Sequence, residues 1–155
     1  MIEKKGIYRA KIESLKLMKA EGSLIPHEGD VIFSLMNNSG KEIKLECFLS
    51  QDVLLNRWMK LIKGKEVFIK LKFVQFEYKK NQRRNKSIKL IKQSENAVNS
   101  YQINGEVLKL TKDRVLSILL DADLDIETNV QLNEKIKVGD YLYLEGRLDA
   151  EIVKI

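Results

Sequence analysis

The sequence predicts a mainly β chain built as two small antiparallel β-barrels in tandem. Three observations carry that expectation. Over most of the 155 residues, apolar and polar side chains alternate in short runs, the period-two signature of half-buried strands. One stretch alone, just after residue 50, takes up helical spacing. A glycine-led strand motif occurs twice, at Gly64 and at Gly139, 75 residues apart.

Gly6 to Leu17 is the first expected strand, with Tyr8, Ala10 and Ile12 on one face and Arg9 and Lys11 on the other. A loop carrying Gly22, Pro26, His27 and Gly29 leads to a second strand, Val31 to Met36. Asn37-Asn38-Ser39-Gly40 is a hairpin signal, because Asn and Gly accept positive φ at little cost. In the third strand, Lys41 to Leu49, residues Ile43, Leu45, Cys47 and Leu49 alternate with Lys44, Glu46 and Phe48. The period then changes. Leu54, Leu55, Trp58, Leu61 and Ile62 share one helical face between a Ser50 N-cap and a Gly64 stop. At that spacing Trp58 is expected in the core.

A long fourth strand, Glu66 to Tyr78, places Val67, Ile69, Leu71 and Phe73 on one face. Phe68, Lys70, Lys72, Val74, Phe76 and Tyr78 take the other. The basic loop Lys79 to Lys86 leads to a fifth strand, Ser87 to Lys92. Beyond it the expected strands are Tyr101 to Leu110, Arg114 to Asp123, Ile126 to Leu132, Tyr141 to Leu148 and Ile152 to Ile155. The expected domains are therefore a basic barrel over 1–93, a linker over 94–100, and a smaller acidic barrel, of the same kind or incomplete, over 101–155.

Composition narrows the function classes. A hydrophobic fraction of 44% with 32% charged residues describes a globular chain. No apolar run is long enough to cross a bilayer as a helix, and the first residues have no apolar signal region. A cytoplasmic location is expected. One Cys and one His exclude a Cys–His zinc site. The net charge of +6 is unevenly spread: residues 1–98 hold 21 Lys or Arg against 11 Asp or Glu, and residues 99–155 hold 7 against 11. Such asymmetry points to polyanion binding by the basic part, and a lysine-rich surface is the plainer account of it.

Three strands, a helix and two further strands is the element order of the first part, and it resembles the OB-fold, a five-stranded Greek-key barrel. Gly64-Lys-Glu-Val67-Phe-Ile69-Lys-Leu71 and Gly139-Asp-Tyr-Leu142-Tyr-Leu144-Glu-Gly146 share a glycine followed by apolar residues at the third and fifth positions. The second is similar to the fourth-strand entry of single-stranded-DNA-binding OB barrels. The resemblance covers residues 6–92 best and is thinner over 101–155, where the helix is missing.

That resemblance implies a nucleic-acid surface, and the residue types fit one. Binding single strands needs cations along the phosphate path and flat rings on which bases stack. Phe68, Lys70, Lys72, Phe76 and Tyr78 interleave both on one strand face, and Lys79, Lys80, Arg83, Arg84 and Lys86 add positive charge in the next loop. Arg9 and Lys11 extend the track. The competing account packs Phe68, Phe76 and Tyr78 beneath the helix or against the second barrel and leaves the loop merely solvated. Asp121, Asp123 and Asp125 suggest a calcium loop, but Ile126 stands where glycine is required and Leu132 where glutamate is required. No catalytic motif, metal set or cofactor motif emerges. The expected function is non-enzymatic binding of single-stranded nucleic acid, DNA slightly ahead of RNA, with little sequence preference. The second barrel is expected to serve partner or self association. The alternative is a protein–protein adaptor or assembly subunit that binds no nucleic acid.

Overall fold

The computed structural model describes residues 2–4, 6–36, 40–91, 100–120, 124–131 and 134–155, and of residues 2–4, 75, 76 and 91 the backbone alone. The expected hairpin residues Asn37, Asn38 and Ser39, nearly all of the expected linker, Asp121, Asp123 and the side chain of Phe76 lie outside the described residues.

Among the described residues the fold is mainly β with one short α-helix. Its strands are β1 (Ile2–Lys4), β2 (Ile7–Lys19), β3 (Pro26–Met36), β4 (Glu42–Leu49), β5 (Glu66–Lys80), β6 (Ser87–Ile91), β7 (Ser100–Leu110), β8 (Arg114–Leu119), β9 (Asp125–Gln131) and β10 (Tyr141–Lys154). They hydrogen-bond as one ten-stranded sheet in the order β1-β2-β3-β4-β10-β5-β9-β8-β7-β6, with further pairings β2–β5 and β10–β7. No helix of the described residues is long and apolar enough to cross a membrane.

The chain divides into two compact units, Met1–Lys70 with Asp149–Ile155, and Leu71–Leu148. The divisions fall inside β5 and β10 rather than at 94–100. Counted over these units the charge is even: each holds 14 Lys or Arg against 11 Asp or Glu. The basic run 79–92 belongs with the acidic strands that follow it, so neither unit is the acidic one.

In the first unit, alternation buries Tyr8, Ala10 and Ile12 of β2 against Val31, Phe33 and Leu35 of β3 and Leu45, Cys47 and Leu49 of β4. β2 and β3 are antiparallel, with Ala10 opposite Leu35. β4 runs parallel to the end of β10, Phe48 opposite Asp149. β5 returns antiparallel to β2, Tyr8 opposite Ile69. The helix expected over 50–64 is far shorter: α1 spans Gln51–Leu54 and a 3-10 turn spans Trp58–Lys60. Arg57, at φ −131°, breaks the helix between them, and its guanidinium donates to the Ile152 carbonyl. Only Leu54 and Leu61 need burial, and one turn apiece delivers them. Ser50 does occupy the N-cap position, without a side-chain cap bond. Trp58 is half-buried rather than core, with the Lys19 ammonium 5.2 Å from its ring centroid.

In the second unit β7, β8 and β9 form an antiparallel meander. β5 runs parallel to β9 at Lys72 and Glu127, and β10 pairs antiparallel with β7. Ile103, Val107, Val115, Ile118, Leu124, Ile126, Leu142 and Leu144 fill its core. The two short strands expected at 141–148 and 152–155 are one strand. Residues 149–151, expected to separate them, continue the strand, and Leu142, Leu144, Leu148, Ala150 and Ile152 keep a single alternation through it.

Gly105 of β7 has close neighbours: a Cβ there would lie 2.8 Å from Leu120 Cδ2 and 3.1 Å from the Leu119 carbonyl oxygen. Gly105→Ala should therefore destabilise by about 1–3 kcal/mol through overpacking, read as a lowered urea midpoint at constant m-value. Both units draw strands from both sides of residues 92–99. Fragments 1–98 and 99–155 should each give collapsed amide dispersion by NMR, and a folded spectrum from fragment 1–98 alone would refute that dependence.

Candidate functional site

The cations expected in one track fall into two groups. In the first unit, Arg9 and Lys11 are exposed on β2, while Phe68 and Lys70 are half-buried on β5. The Arg9 guanidinium lies 5.7 Å from the Phe68 ring centroid. In the second unit, Lys72 is exposed, Tyr78 is half-buried, and Lys79, Lys80, Arg83 and Arg84 cluster at the end of β5 and the loop after it. The described even-numbered residues from Phe68 to Tyr78 are half-buried or exposed. Odd residues Val67 to Phe73 are buried, but Glu77 and Lys79 are exposed.

The loop is built by amides. The Asn81 N–H donates to the Tyr141 carbonyl at 2.8 Å, tying the loop to the start of β10. Asn81 Nδ2 donates to Asn85 Oδ1 and to Asn104 Oδ1, each at 2.8 Å. Asn81 Oδ1 accepts from the Arg83 N–H at 3.0 Å, and Asn104 Nδ2 donates to Ser87 Oγ at 2.8 Å. Short amide side chains that bond to nearby backbone substitute for regular pairing in this way. Arg84, at φ +54°, makes the left-handed turn that the loop requires.

Cross-strand pairing supplies the floor. Along β10 and β7, Tyr141 faces Glu106, Tyr143 faces Asn104 and Glu145 faces Gln102. The Arg84 guanidinium lies 5.2 Å from the Tyr141 ring centroid, and the Lys79 ammonium 5.0 Å from that of Tyr143, both within cation–π range. Lys80 pairs with Asp140 at 3.7 Å and Lys86 with Glu106 at 3.8 Å. Lys79, Lys80, Arg83, Asn81, Asn104 and Tyr143 line an open cavity of about 660 Å³, with Gln82 and Asn85 beside them. Sequence reading missed Tyr141, Tyr143, Asn81 and Asn104. The two tyrosines had a signal: two residues apart in a strand, they had to share a face.

Three titratable groups meet beside the cavity. Tyr143 donates to Glu145 Oε1 at 2.5 Å, and Gln102 Nε2 donates to the same oxygen at 2.9 Å. The hydrogen bonds from Tyr143, then Gln102 and Glu77, hold the Glu145 carboxyl below its usual range. The bond to Glu145, and then its charge, push Glu77 up. Desolvation, reinforced by Glu145, pushes the Tyr143 phenol up to about 12. Elsewhere, burial pushes the Cys47 thiol far up, so it is no nucleophile. Among the described residues, no group of three or more His, Cys, Asp or Glu is placed to hold a metal ion.

A phenol whose folded pKa lies above its unfolded value favours the folded state below the unfolded pKa and loses that contribution as pH rises through the folded one. Tyr143 should therefore contribute stability that is intact below about pH 10 and lost on approach to about 12. The late part of the tyrosinate absorbance titration should include a phenol that Tyr143→Phe removes, and the alkaline stability of that variant should fall less steeply between those values.

The chain matches no protein-family model, no curated protein and no solved structure.

Proposed function

We propose that the chain binds single-stranded nucleic acid, without marked sequence preference, through the loop after β5 and the tyrosines of β10. The observation that carries this reading is the gathering of Lys79, Lys80 and Arg83 with the Tyr143 ring around one open cavity, beside the Arg84–Tyr141 pair. Phosphates need the cations and bases need the rings, and neither requirement names a particular base. The surface is already internally balanced, since Asp140 and Glu106 engage Lys80 and Lys86. Affinity should accordingly be moderate and steeply salt-dependent.

The same reading takes each unit as an OB-type barrel. Strand order supports it. In the first unit β2, β3 and β4 follow one another, β4 lies parallel to β10, and β5 pairs back to β2. In the second, β7, β8 and β9 follow one another, β9 lies parallel to β5, and β10 pairs back to β7. β5 and β10 are neighbours in the sheet. On this reading each unit takes the Greek-key order in which the third strand meets the fifth, and β5 and β10 exchange the fourth and fifth places between the two.

An adaptor role is the second reading, favoured by the exposed Leu24, Met59 and Ile62 of the first unit, at 84%, 76% and 61%. Fluorescence anisotropy separates the two. Labelled oligothymidine, matched RNA and duplex DNA are titrated with the full chain at several salt concentrations. Single strands should bind best, with a log–log salt slope of about −0.7 per phosphate neutralised. Arg83→Glu with Arg84→Glu should weaken binding roughly tenfold or more, since each reverses a charge on the phosphate path. Lys11→Glu, in the other unit, should do much less. Equal, weak binding of all three ligands would leave the adaptor reading in front.

A further inference from the structure

Resting on the nucleic-acid reading above, we infer that Glu145 is a positioning residue that fixes the Tyr143 ring as a base-stacking platform. An acid beside a polyanion site runs against simple electrostatics, so its place calls for a reason. The geometry supplies one. Glu145 Oε1 accepts from the Tyr143 hydroxyl at 2.5 Å and from Gln102 Nε2 at 2.9 Å. Gln102 is the direct cross-strand partner of Glu145, so the carboxylate is itself held from the neighbouring strand. The Tyr143 ring is thus gripped at its hydroxyl by Glu145, while the Lys79 ammonium stands over its face at 5.0 Å. Tyr143 also lines the cavity whose walls carry Lys80 and Arg83.

A half-exposed tyrosine that is free to turn about its side-chain torsions must be ordered when a base stacks on it, and that ordering opposes binding. The bond to Glu145 removes the freedom in advance. A base then stacks on Tyr143 by displacing the Lys79 ammonium or by taking the opposite face, and Lys79 remains near to meet the phosphate. Tyr141 repeats the arrangement, with Arg84 5.2 Å from its ring centroid and its hydroxyl donating to Glu106 at 3.2 Å. Glu106 also pairs with Lys86, however, so its removal would free a cation and blur the outcome. Glu145 bonds Glu77 as well, so Tyr143→Phe, which leaves both acids in place, stands beside Glu145→Ala in the test.

The two accounts predict opposite signs. If Glu145 acts only by its charge, Glu145→Ala removes a negative group and oligothymidine binds more tightly. If Glu145 positions Tyr143, Glu145→Ala weakens binding several-fold, up to roughly tenfold, the cost of ordering one side chain on binding. The salt slope should stay unchanged, because no phosphate contact is removed. Glu145→Gln keeps an oxygen that can accept from both Tyr143 and Gln102, and it should restore binding to wild-type strength or better. Tyr143→Phe keeps the ring and the Glu145 charge but cuts the bond, and it should weaken binding in the same direction. Thermal midpoints of all variants separate misfolding from mispositioning, and Tyr143→Phe carries the test if Glu145→Ala fails to fold. Tight binding by wild type with equal or tighter binding by Glu145→Ala and Tyr143→Phe overturns the inference and leaves the function standing. Absence of oligothymidine binding by wild type at low salt overturns both.

Discussion

Side-chain alternation along β5 and β10 is the constraint on which the rest of the structure depends. Each strand begins in one unit and ends in the other. Register in such a strand is fixed by two cores at once. A one-residue slip of β10 would turn Leu142, Leu144, Leu148, Ala150 and Ile152 out of both interiors together. Gly146 and Asp149 do not break the strand because pairing and burial on either side hold it extended: Gly146 lies opposite Tyr101 of β7, and Asp149 opposite Phe48 of β4. Local propensity, which disfavours both residues in a strand interior, is overridden by long-range pairing.

Much of the fold was legible because burial in sheets leaves a short-range mark. The inward sets Tyr8, Ala10, Ile12 and Val67, Ile69, Leu71, Phe73 were readable from period two alone, and all are buried. Where the reading failed, the deciding interaction was remote in sequence. The helix over 50–64 had a full apolar face, but Leu55 and Ile62 found nothing to pack on, and Arg57 left helical geometry to reach Ile152. The charge asymmetry between 1–98 and 99–155 was real in sequence and absent from the units, because chain order and unit membership differ. The candidate site was half legible for the same reason. Its cations sit in one loop and were found; the rings that they cover sit some 60 residues later and were read only as a strand motif.

The site's electrostatics follow from that placement. A basic loop standing free would carry its cations on mobile stems and would pay to order them on a ligand. Here Lys79 and Arg84 rest on tyrosine faces, and Lys80 and Lys86 lean on Asp140 and Glu106. Each exposed contact is individually weak, on the order of 1 kcal/mol or less. Together with the Asn81 and Asn104 amide bonds they hold one loop geometry, with Lys80 and Lys86 balanced by acids and Lys79 and Arg84 laid on rings. Cation–π partners suit this role better than acids, because they localise a cation without cancelling its charge.

One strand carries both the core and the candidate surface. On β10, Leu142 and Leu144 face inward while Tyr141, Tyr143 and Glu145 occupy the positions between them on the opposite face. The outer residues are therefore placed by the same register that packs the inner ones, and their spacing is set by strand geometry, about 7 Å between alternate residues. Two tyrosines two positions apart therefore share the outer face at an interval that the strand itself sets. The proposed lack of sequence preference rests on those rings, because an aromatic face stacks on any base.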